Sequence, residues 1–562
     1  MRRALLALCA AVVGLVLGVV PAVAATPPTE FGNGWHDPIT AGPPVSVPDT
    51  PSCRVTVADT EFRDYTPYKG TYIPPGSPGA PGNPEKPGNP ENAANPGHAG
   101  KCGHRWSKVV LSLEGSVAGR QFDRLGYLHI GGVEVLRTST PEPSPQGITW
   151  HVEKDVTRYA SVLRTQQPVE MLIGNTVDGT YTGVIKVKVT LTFYAAQGRV
   201  KAATAPDKVL TLQGAHTQDA VYQGQLTTPR NSERIVAEVY ATGSGGGCEE
   251  FWYLTVPDAA PYSCRAKDGP YREVQVRIDG RLAGIAAPFP TVWTGGWSNP
   301  FLWYVIPGPR AFDVRPLEYD LTPFAGLLND GRPHQVAVSV TGLPAGQSGW
   351  STPTNILVWQ DAKAARVTGA LITSQAGDPV NKTAYEPGAE RRLTAEGGHA
   401  LTVAGYLDTS HGRVTTTVTR RLTGSSTHRW NADETTDALR ARWHDAETVT
   451  VRGRGPATTT RTQRTYTMDG ATTVDAANRL RTTMTMGDRA DLATLRGGRR
   501  TDWTRLDDTY TGDAAYNQNV PRDQRHATGV SRERYRVHGP GSCYDRTLAT
   551  AQGELTEDRY GC

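Results

Sequence analysis

Metal-binding spacing is missing from this sequence. None of its seven cysteines lies two to four residues from another, no HExxH occurs, and the histidines are scattered. Bound zinc needs ligands clustered at such spacings, so neither a metal nor a cofactor is expected. A GxSxG elbow is also missing, and no strand–turn–helix unit follows the one glycine-rich fragment, so neither a serine hydrolase nor a nucleotide-binding domain is supported. Charge of one sign is lacking too. Lys+Arg (59) nearly balances Asp+Glu (55), a net +4 over 562 residues, which gives no case for nucleic acid or an anionic membrane as partner. Beyond residue 24 no run is apolar enough to span a bilayer.

The one long apolar run is at the start. MRRALLALCAAVVGLVLGVVPAVA carries two arginines, an apolar stretch and Ala22-Val23-Ala24. It reads as a secretory signal (1–24) with an A-x-A cleavage site, so the mature protein is expected outside the cell, as a monomer. Cys9 leaves with the signal, and six cysteines remain. An even number in an exported chain suggests disulfides, and neighbourhood favours Cys53–Cys102, Cys248–Cys264 and Cys543–Cys562.

Glycine (60) and proline (41) punctuate short β-branched runs along most of the chain. Residues 25–105 are Pro/Gly-rich. They hold the start of a first sandwich and the low-complexity stretch IPPGSPGAPGNPEKPGNPENAANPGHAG, which lacks a collagen register. KVVLSLEGSV, YLHIGGVEVLR, ITWHVEKDV, VEMLIGN and VIKVKVTLTFY predict strands of a first domain over 106–196. A second β domain is expected over 205–364. The two share a weak repeat, in which a Gly-turn strand is followed by Asp155-Val156-Thr157 in one and Asp320-Leu321-Thr322 in the other. Residues 375–562 turn Thr/Arg-rich and predict a third, mostly β region with one helix-like stretch, NADETTDALRARW. The fold class expected is all-β: two consecutive antiparallel jelly-roll or β-sandwich domains and a β C-terminal region.

One dipeptide breaks the apolar pattern of VAGRQFDRLGYLHIGGVEVL: Asp123–Arg124. In isolation it reads as an exposed ion pair. It could instead be a carboxylate at a strand edge, tuned by a neighbouring cation. GSGGGCEEFWYL sets Glu249 and Glu250 beside Cys248 and three aromatics, and adjacent carboxylates on an extended chain face opposite ways. PFPTVWTGGWSNPFLWY is either a loop buried by its own rings or a sugar platform, with Trp293, Trp297, Asn299 and Trp303 as contacts. Trp150 is a further candidate sugar contact.

Several segments occur in order over roughly residues 50–362: AGRQFDRLGYLHIGGVEVLRTST followed by PEPSPQGITWHVEKDVTRY, GNTVDGTYTGVIKVKVTLTFY, YREVQVRIDG and PFPTVWTGGWSNPFLW. Together they resemble the secreted peptide-N4-(N-acetyl-β-glucosaminyl)asparagine amidase A family. The resemblance implies cleavage of the β-aspartylglucosamine amide of N-linked glycopeptides or glycoproteins, and a distant relation to the F-type peptide-N-glycanase, whose active site lies between two jelly rolls. The F-type W-D-R motif falls on Phe122-Asp123-Arg124, making Asp123 the primary catalytic group. The G-C-x-E-W motif falls on 247–251 and selects Glu250 over Glu249. A following arginine corresponds to Arg272, across an insertion containing Cys264. Where the F-type enzyme has T-E-T, this chain reads Gly174-Asn175-Thr176, so Asn175 can bind a sugar but not act as a base. The catalytic set implied is Asp123, Glu250, Arg124 and Arg272, with Glu249 and Asn175 as substrate contacts. Two other readings are a non-catalytic glycan-binding protein and an endoglycosidase acting on the glycan core.

Overall fold

In a computed structural model, residues 36–77, 103, 105–142, 146–244, 247–343 and 349–562 are described. The proposed signal, most of the low-complexity stretch and Cys102 lie outside them. The chain is all-β, built of antiparallel sheets with short helical turns between them.

The first unit has two four-stranded sheets. In spatial order one runs Ser52–Phe62, Ile185–Ala195, Trp106–Val117, Ile148–Asp155; the other runs Tyr68–Tyr72, Gln167–Ile173, Leu125–Ile130, Val133–Ser139. Alternation makes the core. Ile185, Val187, Val189, Leu191 and Phe193 of one strand point inward with Val109, Leu111 and Leu113 of its neighbour, each contributing roughly 1.5–3 kcal/mol by leaving water. Gly131 and Gly132, both at positive φ (62° and 78°), form the two-residue hairpin turn between Leu125–Ile130 and Val133–Ser139, a geometry that side chains resist.

The second unit repeats the plan. A five-stranded sheet (Gln213–Gln218, Val221–Leu226, His334–Thr341, Glu273–Ile278, Arg281–Ala286) shares a core with a four-stranded one (Leu317–Asp320, Ser232–Val239, Thr354–Gln360, Lys208–Thr211). The weak sequence repeat has a physical basis. Asp155 accepts the Thr157 N–H at 3.0 Å and Asp320 accepts the Thr322 N–H at 3.0 Å, each turning the chain into a short helical turn. Each threonine hydroxyl then accepts a backbone N–H of a neighbouring strand, from Val109 at 2.8 Å and from Ile235 at 3.2 Å.

The strand Val133–Ser139 is buried along its whole length because the second unit covers its outer face. Arg137 pairs with Glu134 at 2.6 Å and donates to Thr242 Oγ1 at 2.6 Å, while Asn355 bridges both backbone groups of Glu134. Two sandwiches are thereby locked by a satisfied polar network rather than by apolar area alone.

The third region is one eleven-stranded sheet. From Glu390–Thr409 to Glu554–Tyr560 each strand pairs with the next, and several run 17–20 residues. The stretch expected to be helical is a hairpin turn and the strand Thr436–Arg452. Its alanines, leucine and arginines suit helices, but Asp437, Leu439, Ala441, Trp443 and Asp445 are inward at period two, and tertiary cover decides. Trp430, Trp443, Tyr466, Met484 and Tyr510 join the core of the second unit. Exposed pairs such as Arg440–Asp469 and Arg481–Asp513 are also present; at about 0–1 kcal/mol each they solvate the sheet rather than hold it.

Cys248–Cys264 and Cys543–Cys562 are disulfides, and Cys53 is disulfide-bonded. Such bonds persist in oxidising compartments. No helix among the described residues is long and apolar enough to cross a membrane.

Candidate active site

Asp123 lies in an irregular segment just before the strand Leu125–Ile130. Gln121 shapes that segment. Its buried amide donates to the carbonyls of Thr176 (3.0 Å) and Gly183 (3.2 Å), and its Oε1 accepts the Phe122 N–H and the Arg124 guanidinium. Arg124 is thus held by Gln121, with its charge beside Asp123.

The other side of Asp123 is formed by the aromatic loop of the second unit. The Gly295 N–H and the Thr294 hydroxyl face Asp123 and lower its proton affinity, while the Thr294 hydroxyl donates to the Thr140 carbonyl at 3.0 Å. Thr140 in turn accepts the Arg124 N–H at 2.9 Å. The approach is close: a Cβ on Gly295 would lie 2.7 Å from Asp123 Oδ1 and 2.9 Å from Glu142 Oε1. Burial raises the Asp123 carboxyl above its ordinary pKa; the Gly295 N–H, the Arg124 charge, its own N–H and Thr294 offset part of that. A fixed carboxylate of raised proton affinity is suited to take a proton from water.

The two glutamates of 248–254 separate differently from the sequence expectation. The segment is a short helical turn, not an extended chain. Glu249 turns inward, 1% exposed. It receives Arg272 Nε at 2.9 Å, Arg272 Nη2 at 2.6 Å and Trp350 Nε1 at 2.7 Å. Arg272, 2% exposed, spends its remaining donor on the carbonyls of Gly269 and Tyr271. Together they are a buried pair that fixes the turn to the strand Glu273–Ile278. Glu250 is half-buried, and its charge acts on Tyr253, whose hydroxyl points to the Thr291 carbonyl at 3.5 Å. Tyr253 thus ties the turn that carries Glu250 to Thr291, in the loop whose Gly295 faces Asp123.

The remaining sequence candidates are buried in contacts within the protein. Asn175 is fully buried; its amide donates to the carbonyls of Phe62 (2.8 Å) and Gly183 (3.1 Å), and its Oδ1 accepts the Thr176 N–H. Trp150 lies flat over Gly115 inside the first core. Trp293 is buried and directs its N–H to the Gly243 carbonyl at 3.4 Å. Trp297 packs on Gly470, Trp303 stacks on Tyr510 at 4.8 Å, and Asn299 donates to Ala514 at 2.9 Å. The third sheet covers these parts of the loop. Trp303 returns an N–H to the Gly296 carbonyl at 3.3 Å, so that cover braces the residue next to Gly295. Sequence reasoning missed Glu142, Thr294 and Gly295. The adjacent glycines of TGG, in a loop otherwise filled by rings, were the available signal.

A family model described as "Peptide N-acetyl-beta-D-glucosaminyl asparaginase amidase A" matches residues 88–377. The Prunus dulcis protein named peptide-N4-(N-acetyl-beta-glucosaminyl)asparagine amidase A is 29% identical over 424 residues, covering 70% of this chain and 68% of that one. The solved chain titled "Structure of PNGF-II in C2 space group" is 14% identical with a TM-score of 0.31, covering 46% of this chain and 57% of that one. The match thus spans little more than half of that solved chain.

Proposed function

The chain belongs to the peptide N-acetyl-β-D-glucosaminyl asparaginase amidase A family, and on that premise we propose that it is an exported enzyme releasing N-linked glycans from glycopeptides or glycoproteins. The bond cut is the amide between the asparagine side chain and the core N-acetylglucosamine. The observation that carries the reading is Asp123, held between the first unit and the aromatic loop of the second with its proton affinity raised.

Water oxygen bonds to the asparagine side-chain carbon while Asp123 takes the water proton. The carbon–nitrogen bond then breaks and that proton passes to the leaving nitrogen. The products are aspartate and a glycosylamine, which loses ammonia in water. Glu250, across the loop, hydrogen-bonds the amide carbonyl or the core sugar, and Arg124 steadies Asp123. The disulfides and the N-terminal apolar run support an extracellular setting.

The test is peptide mass after incubation with a glycopeptide. Amide hydrolysis leaves an aspartate about one dalton heavier than asparagine, as expected of acid–base amide cleavage. A retained N-acetylglucosamine identifies an endoglycosidase, and an unaltered, bound glycopeptide a binding protein. Asp123→Asn should abolish release while the protein melts normally; release at the wild-type rate refutes the assignment.

A further inference from the structure

We propose that Glu142 is a positioning residue of this reaction, acting on Asp123 across the face of Gly295. The inference rests on the amidase reading above and adds a group that neither the family motifs nor the sequence pattern singled out.

Glu142 follows the strand Val133–Ser139 in the Pro-rich sequence TPEPSP, a context that by itself suggests a solvated surface. The fold places it elsewhere. Its Oε1 and Asp123 Oδ1 approach one point above Gly295, at 2.9 and 2.7 Å. The two oxygens are therefore within about 5.6 Å of each other, inside the range over which like charges change proton affinity. Both carboxyl groups come from the first unit, and the same glycine of the second unit faces both. Any side chain at 295 would intrude on the pair.

Arg124, on its own segment, is the charge that acts on Asp123, and the Glu142 carboxyl lies across Gly295 from it. The aromatic loop contributes neutral donors, the Gly295 N–H and the Thr294 hydroxyl. Arg124 favours the ionised form of Asp123, and a second carboxylate opposes it. With Glu142 present, Asp123 binds the proton taken from water more firmly and is the stronger base. No step passes through Glu142 itself; it sets the proton affinity of the group that reacts.

The experiment is the pH profile of kcat/KM on a glycopeptide for wild type, Glu142→Gln, Glu142→Asp and Asp123→Asn, with thermal melts of each. A base must be ionised, so activity rises with pH through its pKa. Removing a neighbouring negative charge lowers that pKa, so the acidic limb of Glu142→Gln should move to lower pH by about one unit. Glu142→Asp, keeping the charge, should keep the wild-type limb. If Glu142→Gln does not fold, Glu142→Ala, which also removes the charge, decides: a limb moved to lower pH supports the role, and a wild-type limb overturns it. An unmoved limb in folded Glu142→Gln overturns the proposal while an inactive Asp123→Asn leaves the amidase reading intact. An active Asp123→Asn overturns both.

Discussion

Replacing Gly295 by alanine should cost activity without costing the fold. Gly295 has φ −97° and ψ 2°, a conformation open to any residue. The substitution also reduces the freedom of the unfolded chain, worth about 0.4–1 kcal/mol in favour of folding. The penalty is local. The new methyl carbon would sit 2.7 Å from Asp123 Oδ1, whereas ordinary contact begins at 3.4 Å, so the carboxylate or the loop must retreat by about 0.7 Å. Retreat of either moves the carboxylate away from the Gly295 N–H that faces it. A misplacement near 1 Å can reduce turnover by about a hundredfold, so a ten- to hundredfold loss of kcat is expected. Thermal melting and glycopeptide mass, measured on one preparation, separate the two effects. A Gly295→Ala protein with wild-type melting and kcat within about threefold of wild type would show that catalysis does not depend on Asp123 being held there.

Two further substitutions test the assignments away from the reacting carboxylate. Glu249→Gln leaves Arg272 buried against a neutral partner, and breaking such a pair costs roughly 3–5 kcal/mol; a melting temperature unchanged from wild type refutes its structural role. Glu533 lies buried beside Asp508, near the N–H of Ala41, and burial pushes its carboxyl up to about 7 from an ordinary 4.5. A raised pKa in the folded state means stability is fully present below about pH 4.5 and is lost as pH rises through about 7. Glu533→Gln, which cannot ionise, should therefore melt higher than wild type at pH 8 and nearly equally at pH 4.5; equal melting at both overturns the reading.

The third sheet lies almost wholly beyond residue 377, where the family match ends, yet it covers the loop that meets Asp123. Trp303 shows the connection. Its ring stacks on Tyr510 while its N–H holds the Gly296 carbonyl. The sequence marks these rings as a cluster in need of cover, but nothing local says whether sugar, the loop itself or a distant sheet supplies it. Glu249 and Glu250 pose the same problem. The dipeptide is legible; which member turns inward depends on a helical turn and on Arg272 and Trp350, 23 and 101 residues away.

Some features were decided by the sequence alone because their physics is local. Period-two alternation and the Gly131-Gly132 turn yield strands and a hairpin wherever the chain folds. The close cysteine pairs 248–264 and 543–562 need only short loops to meet. The family motifs mark Asp123 by its neighbours. Only tertiary structure decided what surrounds that carboxylate: the Gly295 N–H and Thr294 hydroxyl from one unit and Glu142 from another segment of its own, with rings of a third region packed behind the loop. Burial and charge act through space, and the residues that set them for Asp123 are up to 172 positions away in the chain.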